Sequence, residues 1–359
     1  MRVFQSGAYF CCQSRRHDEF QLPSLLKTHP GVFCRIIFVV AALLFLPLPV
    51  FGLTMELPVD CSKAELCFPQ NYFDHDSSSG YADYTCGALS YDAHTGTDIR
   101  ISYTDMERGV PVLAVADGVV RAVRDGESEG EISLRGKGAV TGREAGNAVV
   151  LVHAGGFETQ YSHLKWGSVA VRPGQMVKAG QRLGLVGLSG VTEFPHLEIS
   201  VRQQSEPLDP FSGLAFVGCD GRREPLWSHE ALASSILKYQ TSGLLEAGFF
   251  TESPKSTLAM LRRQNWIEGR AGDPSLLVFG VLVFGPRKGD VWSLRLTDPN
   301  GQILAESRTT QERHQAQAMR YAGKKKVTGW QSGFYRGEFR LTRPGEGDVV
   351  AVVREIEVP

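Results

Sequence analysis

Short runs of alternating apolar and polar residues, broken by Gly, Pro-Gly and Asp-Gly, dominate this chain outside its first fifty residues. The run Phe194-Pro195-His196-Leu197-Glu198-Ile199-Ser200-Val201-Arg202 alternates like a half-buried strand and follows a turn-like Gly187-Leu188-Ser189-Gly190. Side chains two apart on a strand share a face, so His196 and Glu198 are expected to point the same way. Gly109 to Val120 reads as a strand, a turn at Asp117-Gly118 and a second strand, a hairpin. Val149 to His153 and Phe157 to His163 read as two more strands around Gly155-Gly156, and Val169 to Gln175 runs into Val177 to Gly184. His94-Thr95-Gly96-Thr97-Asp98 is unsuited to a regular helix, which places His94 and Asp98 on a bend entering a strand. The Gly- and Glu-rich segment Asp125 to Asn147 reads as a mobile loop.

The C-terminal third repeats the β pattern. Strands are expected at Leu276 to Phe284, Val291 to Thr297, Gly301 to Ser307, Gly333 to Leu341 and Val349 to Val358. Turns at Asp298-Pro299-Asn300-Gly301 and Arg343 to Gly347 separate some of them, and Lys324-Lys325-Lys326 reads as a solvated turn. Evenly spaced short strands suggest a small β-sandwich, compatible with an immunoglobulin-like arrangement. Ala231 to Leu237 carries a short helical apolar pattern. The expected fold is therefore mostly β, a compact antiparallel core followed by a small β-sandwich. Its divisions fall at 1–52, 53–218, a connector with a short helix at 219–270, and the sandwich at 271–359.

Composition narrows the setting. A length of 359 residues accommodates two domains with a core in each. The formal net charge of -1 gives no sign of a general nucleic-acid or anionic-membrane binder. Arg35 precedes an apolar run, Ile36 to Phe51, shorter than the roughly 20 residues a membrane span requires. It fits the apolar region of a secretory signal cut near Leu53, although Met1 to Cys34 is long for what precedes such a region. Export with cleavage is the favoured reading and an uncleaved N-terminal anchor the alternative. Beyond that segment stand Cys61, Cys67, Cys86 and Cys219, an even set suited to two disulfides in an oxidising compartment. Three pairings are open; Cys61 with Cys67 closes a short local loop, which leaves Cys86 with Cys219. A zinc knuckle is disfavoured, because no paired Cys-x-x-Cys spacing is present.

The candidate chemistry lies in ordered pieces: His94-Thr95-Gly96-Thr97-Asp98, the Pro111 to Val120 segment, Tyr161-Ser162-His163-Leu164, Pro173-Gly174-Gln175 through Gly180-Gln181, and Pro195-His196-Leu197. A lone His-x-x-x-Asp is a weak signal. Together and in this order, over roughly Tyr91 to Arg202, the pieces resemble the lysostaphin-type (LytM-like) zinc metallopeptidases of metallopeptidase family 23, which cut peptide crosslinks of bacterial cell walls. The resemblance implies a compact antiparallel β metallopeptidase core, with His94 and Asp98 as zinc ligands and His163 and His196 as catalytic residues. Glu198 stands where the family places a last histidine ligand. Chemically the set is workable, since zinc takes three ligands from His, Asp or Glu and keeps a fourth position open for water. Two carboxylates would neutralise the ion's formal charge, which predicts a slower enzyme, weaker metal retention, or both. His153 is given no role by the resemblance and reads as structural, while His75 in its polar loop is compatible with a satisfied surface residue.

Two functions follow as expectations. The first is an exported zinc endopeptidase, periplasmic or of the cell envelope, acting on peptidoglycan peptides. The second is a non-catalytic relative that binds wall or regulates a partner hydrolase. A regulator would be expected to have lost several site residues, and here one is changed, which favours the enzyme. The C-terminal sandwich, with no cluster of catalytic residue types, is assigned to interaction or placement.

Overall fold

The computed structural model describes residues 52–132, 136–215, 218–219 and 223–359. The expected export or anchor segment therefore lies, apart from Gly52, outside the described residues. Among those residues no helix is long and apolar enough to cross a membrane.

The first half of the chain is built on one sheet. Its strands are β1 (Cys67–Asn71), β2 (Thr97–Ile101), β4 (Gly118–Arg124), β5 (Asn147–Val152), β6 (Phe157–Leu164), β7 (Met176–Val177), β9 (His196–Gln203) and β10 (Glu206–Leu208). Their order is β1-β2-β9-β6-β5-β4-β7, with β10 added on β9. β3 (Pro111–Leu113) and β8 (Arg182–Leu185) pair separately. The alternation read in the sequence explains the two faces. Ile99 on β2, Tyr161 on β6 and Leu197, Ile199 and Val201 on β9 turn into one apolar core. Asp98, His196 and Glu198 take the other face.

The hairpin expected between Gly109 and Val120 does not form. β3 pairs with β8, while β4 pairs with β5 and β7. Both flanking segments are apolar, and core burial of Val112, Ala114 and Val115 draws the first away from its sequence neighbour. The Gly155-Gly156 hairpin forms as expected. The segment Asp125 to Asn147 is anchored rather than free: Gly130 N–H donates to the Leu188 carbonyl and Ile132 N–H to that of Thr192. Ile132 and Val140 are buried, and the Asn147 side-chain oxygen accepts the N–H groups of Gly126 and Glu127. Cys61–Cys67 and Cys86–Cys219 are the two disulfides.

The C-terminal half is a sandwich of two antiparallel sheets. One is β11 (Gly243–Phe250), β12 (Leu276–Phe284) and β15 (Gln317–Lys325); the other is β14 (Ile303–Thr310), β13 (Val291–Thr297), β16 (Gly333–Arg343) and β17 (Gly347–Val358). Phe279 and Val281 of one sheet meet Trp292, Leu294 and Phe339 of the other in a shared core. The expected connector at 219–270 thus supplies a strand, β11, as well as the helix α2 (His229–Ala233). Lys324 and Lys325 end β15 rather than forming a turn. Polar residues on its exposed side hid β15, whereas β11, buried along almost its whole length, lacks the alternation of a half-buried strand.

β12 is buried on both faces. Its other side, with Phe250, Met260 and Phe284, packs on Phe68 of β1, the Phe68 and Phe284 rings stacking at 4.4 Å. Helix α1 (Tyr103–Arg108) lies at the same junction, where Tyr103 and Arg262 both bind the buried Glu131 carboxylate. Residues 51–359 accordingly form one compact unit.

Candidate functional site

The five residues singled out in the sequence converge on the polar face of β2, β6 and β9. Asp98 and Glu198 are direct cross-strand partners, and Ser162 of β6 is the partner of Glu198 on the other side. Like charges directly opposite one another are unfavourable, so this pair calls for compensation by cationic or donor groups. His94 Nε2 stands 3.3 Å from Asp98 Oδ1, and His196 Nε2 3.7 Å from the same oxygen. Asn71 of β1 donates from Nδ2 to Asp98 Oδ2 at 2.9 Å. His163 Nε2 lies 3.2 Å from Glu198 Oε2.

Local backbone features deliver these side chains. Strict alternation would put His163 on the core side with Tyr161. Instead His163 has φ 63°, a left-handed conformation that costs a non-glycine residue about 1–3 kcal/mol and turns its ring out to the site. The conformation is held by its N–H to the Ala145 carbonyl and by Gly187 N–H to its own carbonyl. Gly96 permits a close approach: a Cβ there would sit 2.9 Å from both Cγ and Oε1 of Glu198. Tyr91 stacks on the His94 ring at 4.1 Å between centroids.

His163 and His196 are pushed in opposite directions by their surroundings. His163 Nδ1 faces the Ser189 carbonyl at 2.7 Å and His196 Nδ1 the Phe194 carbonyl at 2.8 Å. A carbonyl only accepts, so each Nδ1 carries a proton and each Nε2 is left for the site. Burial pulls the His163 imidazole down, but its hydrogen bond and charge contact with Glu198 outweigh burial and raise it. Burial holds His196 down at about 4, against the opposing pull of Asp98. At neutral pH His196 is therefore a neutral imidazole with a free Nε2 lone pair, while the Glu198 carboxylate favours the protonated form of His163. Burial would raise Asp98, yet His94 and His196 bring it well below the usual carboxylate range. Glu198 is likewise lowered, its burial outweighed by His163.

The donor set suits a divalent ion in part. Among the described residues His94 Nε2 and Asp98 Oδ1 are buried and make no hydrogen bond, only the contact with each other and that of Oδ1 with His196, a costly condition for polar atoms. Their 3.3 Å separation is what two ligand atoms of a tetrahedral zinc require, roughly 3.3 Å for bonds of about 2.0–2.1 Å. Glu198 Oε2 is engaged by His163, while Oε1 has only a 3.5 Å contact with Ser200 Oγ. Among the described residues no three His, Cys, Asp or Glu side chains already converge as a complete ligand set.

Other positions resolve differently. His75 is buried rather than exposed, its Nε2 3.0 Å from Asp209 Oδ2. Its loop is folded against β10's exit, which the polar composition of Asp74 to Gly80 concealed. His153 bonds the Asp117 carbonyl and Thr159 Oγ1, away from the site. Asn71, Ser189 and Thr192 were not found from the sequence. They act through single polar contacts with Asp98, His163 and His196, and no local spacing marks such partners.

Residues 92–210 match the family described as Peptidase family M23. The chain is similar to the peptidoglycan DD-endopeptidase ShyB of Vibrio cholerae serotype O1, 32% identical over 116 residues, covering 32% of this chain and 22% of that protein. It is 36% identical over 120 residues to the DD-carboxypeptidase/endopeptidase Mpg of Neisseria meningitidis serogroup B, covering 33% and 22%. The chain thus spans only 22% of the length of either relative. Among solved structures, a zinc-containing peptidase from Vibrio cholerae is 28% identical with a TM-score of 0.26 over 39% of each chain. Residues 92–210 of this chain are therefore similar to peptidase family M23.

Proposed function

We propose that the chain is an exported zinc endopeptidase that cleaves peptide crosslinks of bacterial peptidoglycan. The observation that carries the reading is the buried pair His94 Nε2 and Asp98 Oδ1, 3.3 Å apart and without a hydrogen bond among the described residues, beside His163 and His196. His94, Asp98 and Oε1 of Glu198 would hold zinc. Bound there, zinc would polarise a scissile carbonyl and make water nucleophilic near neutral pH. His196, neutral and with its Nε2 lone pair turned inward, takes the proton from attacking water. His163, fixed by Ser189 and Glu198 and favoured in its protonated form by that carboxylate, stabilises negative charge developing on the carbonyl oxygen. Two disulfides support an oxidising, extracytoplasmic location. The peptidoglycan DD-endopeptidase activity named for ShyB supports the substrate class.

One observation favours a second reading. The His163–Glu198 contact occupies an oxygen of the third ligand, as expected of a site kept for binding wall or for regulating a partner hydrolase. Zinc content and peptidoglycan cleavage of the native protein, Glu198→Ala and Glu198→His separate the two. The enzyme reading expects stoichiometric zinc and cleavage in the native form, loss of both in Glu198→Ala, and faster cleavage in Glu198→His as positive charge returns to the ion. A native protein with neither zinc nor cleavage would establish the regulator instead.

A further inference from the structure

Arg100 is a buried cation that forms no ion pair among the described residues, although the charge of the buried Glu246 carboxylate favours it. It sits on β2 two residues past Asp98, directly across from His196 on β9, and is 1% exposed. Among the described residues, its Nη1 donates to two neutral amide oxygens, Gln70 Oε1 at 2.6 Å and Gln317 Oε1 at 3.0 Å, and its Nε has no partner. Burial lowers the guanidinium to about 9, which leaves it cationic at neutral pH. A domain junction whose only task is adhesion is better served by an apolar side chain of similar volume. Holding a charge here needs another reason.

The guanidinium's remaining contact supplies one. Its carbon lies 4.1 Å from the centroid of the Phe194 ring, a cation–π distance inside a dry junction. The carbonyl of Phe194 accepts the Nδ1 proton of His196, and the two rings lie 4.9 Å apart. Gln317, which holds Arg100 from the far side, opens β15 of the C-terminal sandwich. Sandwich, guanidinium, aromatic ring, carbonyl and imidazole form one unbroken series of contacts.

We propose that the C-terminal sandwich positions His196 through Arg100: Gln317 fixes the guanidinium, the guanidinium fixes Phe194, and the Phe194 carbonyl sets the tautomer and angle of the imidazole. Arg100 is a positioning residue, since it touches no reacting atom. The inference rests on the peptidase reading for the role of His196, but the geometry it asserts can be measured without turnover.

The test uses the full chain as purified, with imidazole nitrogen-15 labelling, in the native form and as Arg100→Leu, Arg100→Lys and Gln317→Leu. The native protein should show His196 as a single tautomer protonated at Nδ1. Arg100→Leu should mix the tautomers and broaden the His196 signals, with Gln317→Leu moving them the same way by less and Arg100→Lys restoring part of the native spectrum. His153, bound elsewhere in the sheet, should not move. In wall digestion, kcat should fall about tenfold in Arg100→Leu with KM within about twofold, as a misplaced catalytic group predicts. If the native chain digests no wall, the peptidase reading fails while the nitrogen spectra still decide this one. Should Arg100→Leu not fold, Gln317→Leu carries the comparison. Unchanged His196 signals in a folded Arg100→Leu or in Gln317→Leu, or equal movement of His153, would overturn the proposal.

Discussion

The site depends on a few backbone and donor positions that a substitution can test singly. Gly96 gives Glu198 its room, with Cγ and Oε1 each 2.9 Å from where a Cβ would stand. Gly96→Ala should displace that carboxylate and weaken zinc retention by about 10–100-fold, with little loss of thermal stability; zinc titration against a competing chelator measures it, and unchanged affinity would show that Glu198 is no ligand. Asn71→Ala leaves Asp98 Oδ2 buried without its donor and should cost about 1–3 kcal/mol in denaturant unfolding. A pH effect separate from the site comes from His153, whose imidazole is held down by burial, against the opposing pull of the Asp117 carbonyl. Its folded pKa lies below the unfolded value, so the folded state favours the neutral ring. That stability is full above the ordinary histidine range near 6.5 and is lost as pH falls from there toward the folded pKa. His153→Gln should flatten the fall in Tm over that acidic window, and a native profile already flat there would refute the assignment.

At the scale of elements, most strands were legible because one face is buried and the other wet. The alternation around His196 gave both the strand and the shared face of His196 and Glu198. β12 was also found, although its unbroken Leu276-Leu277-Val278-Phe279 pattern marks a strand buried on both sides, a meaning that only the packing against Phe68 reveals. Pairing was less legible. Whether β3 meets β4 or β8 depends on where the core lies, not on the turn residues between them. The ring direction of His163 was hidden as well, since a positive φ at a histidine leaves no mark in the pattern. Covalent closure is the element-scale feature with the largest expected effect. Cys86–Cys219 spans 133 residues and ties the segment before β2 to the exit from β10. Removing it by Cys86→Ser with Cys219→Ser should lower stability by up to about 4–5 kcal/mol if unfolded-chain entropy dominates. Cys61–Cys67 closes only a short loop, so its removal should cost less; equal unfolding midpoints for the two double variants would contradict that ordering.

For the whole molecule, the sandwich and the eight-stranded sheet share a junction built like a core. Phe68, Phe250, Met260 and Phe284 are buried together, and a fully buried Glu131 is gripped by Arg262 from the sandwich side and Tyr103 from the other. Nothing in the local sequence announces this junction, because each residue also suits the interior of its own half. A junction of this kind couples the stabilities of the two halves: neither can unfold without exposing the other's apolar face. Calorimetry of the native chain from Leu53 onward should therefore show a single transition. Phe284→Ala removes the ring stacked on Phe68 at 4.4 Å and should cost about 3–5 kcal/mol, the range for a large aromatic lost from a close-packed interior. Because the loss falls on the shared face rather than inside either core, it should also uncouple the halves and split the transition in two. Zinc added to that variant should raise only the transition of the half carrying His94 and Asp98, since a ligand stabilises only the unit that binds it. Two transitions already present in the native chain would show that the halves are independent. A single lowered transition in Phe284→Ala would show that their coupling lies elsewhere, in the Glu131 ion pair.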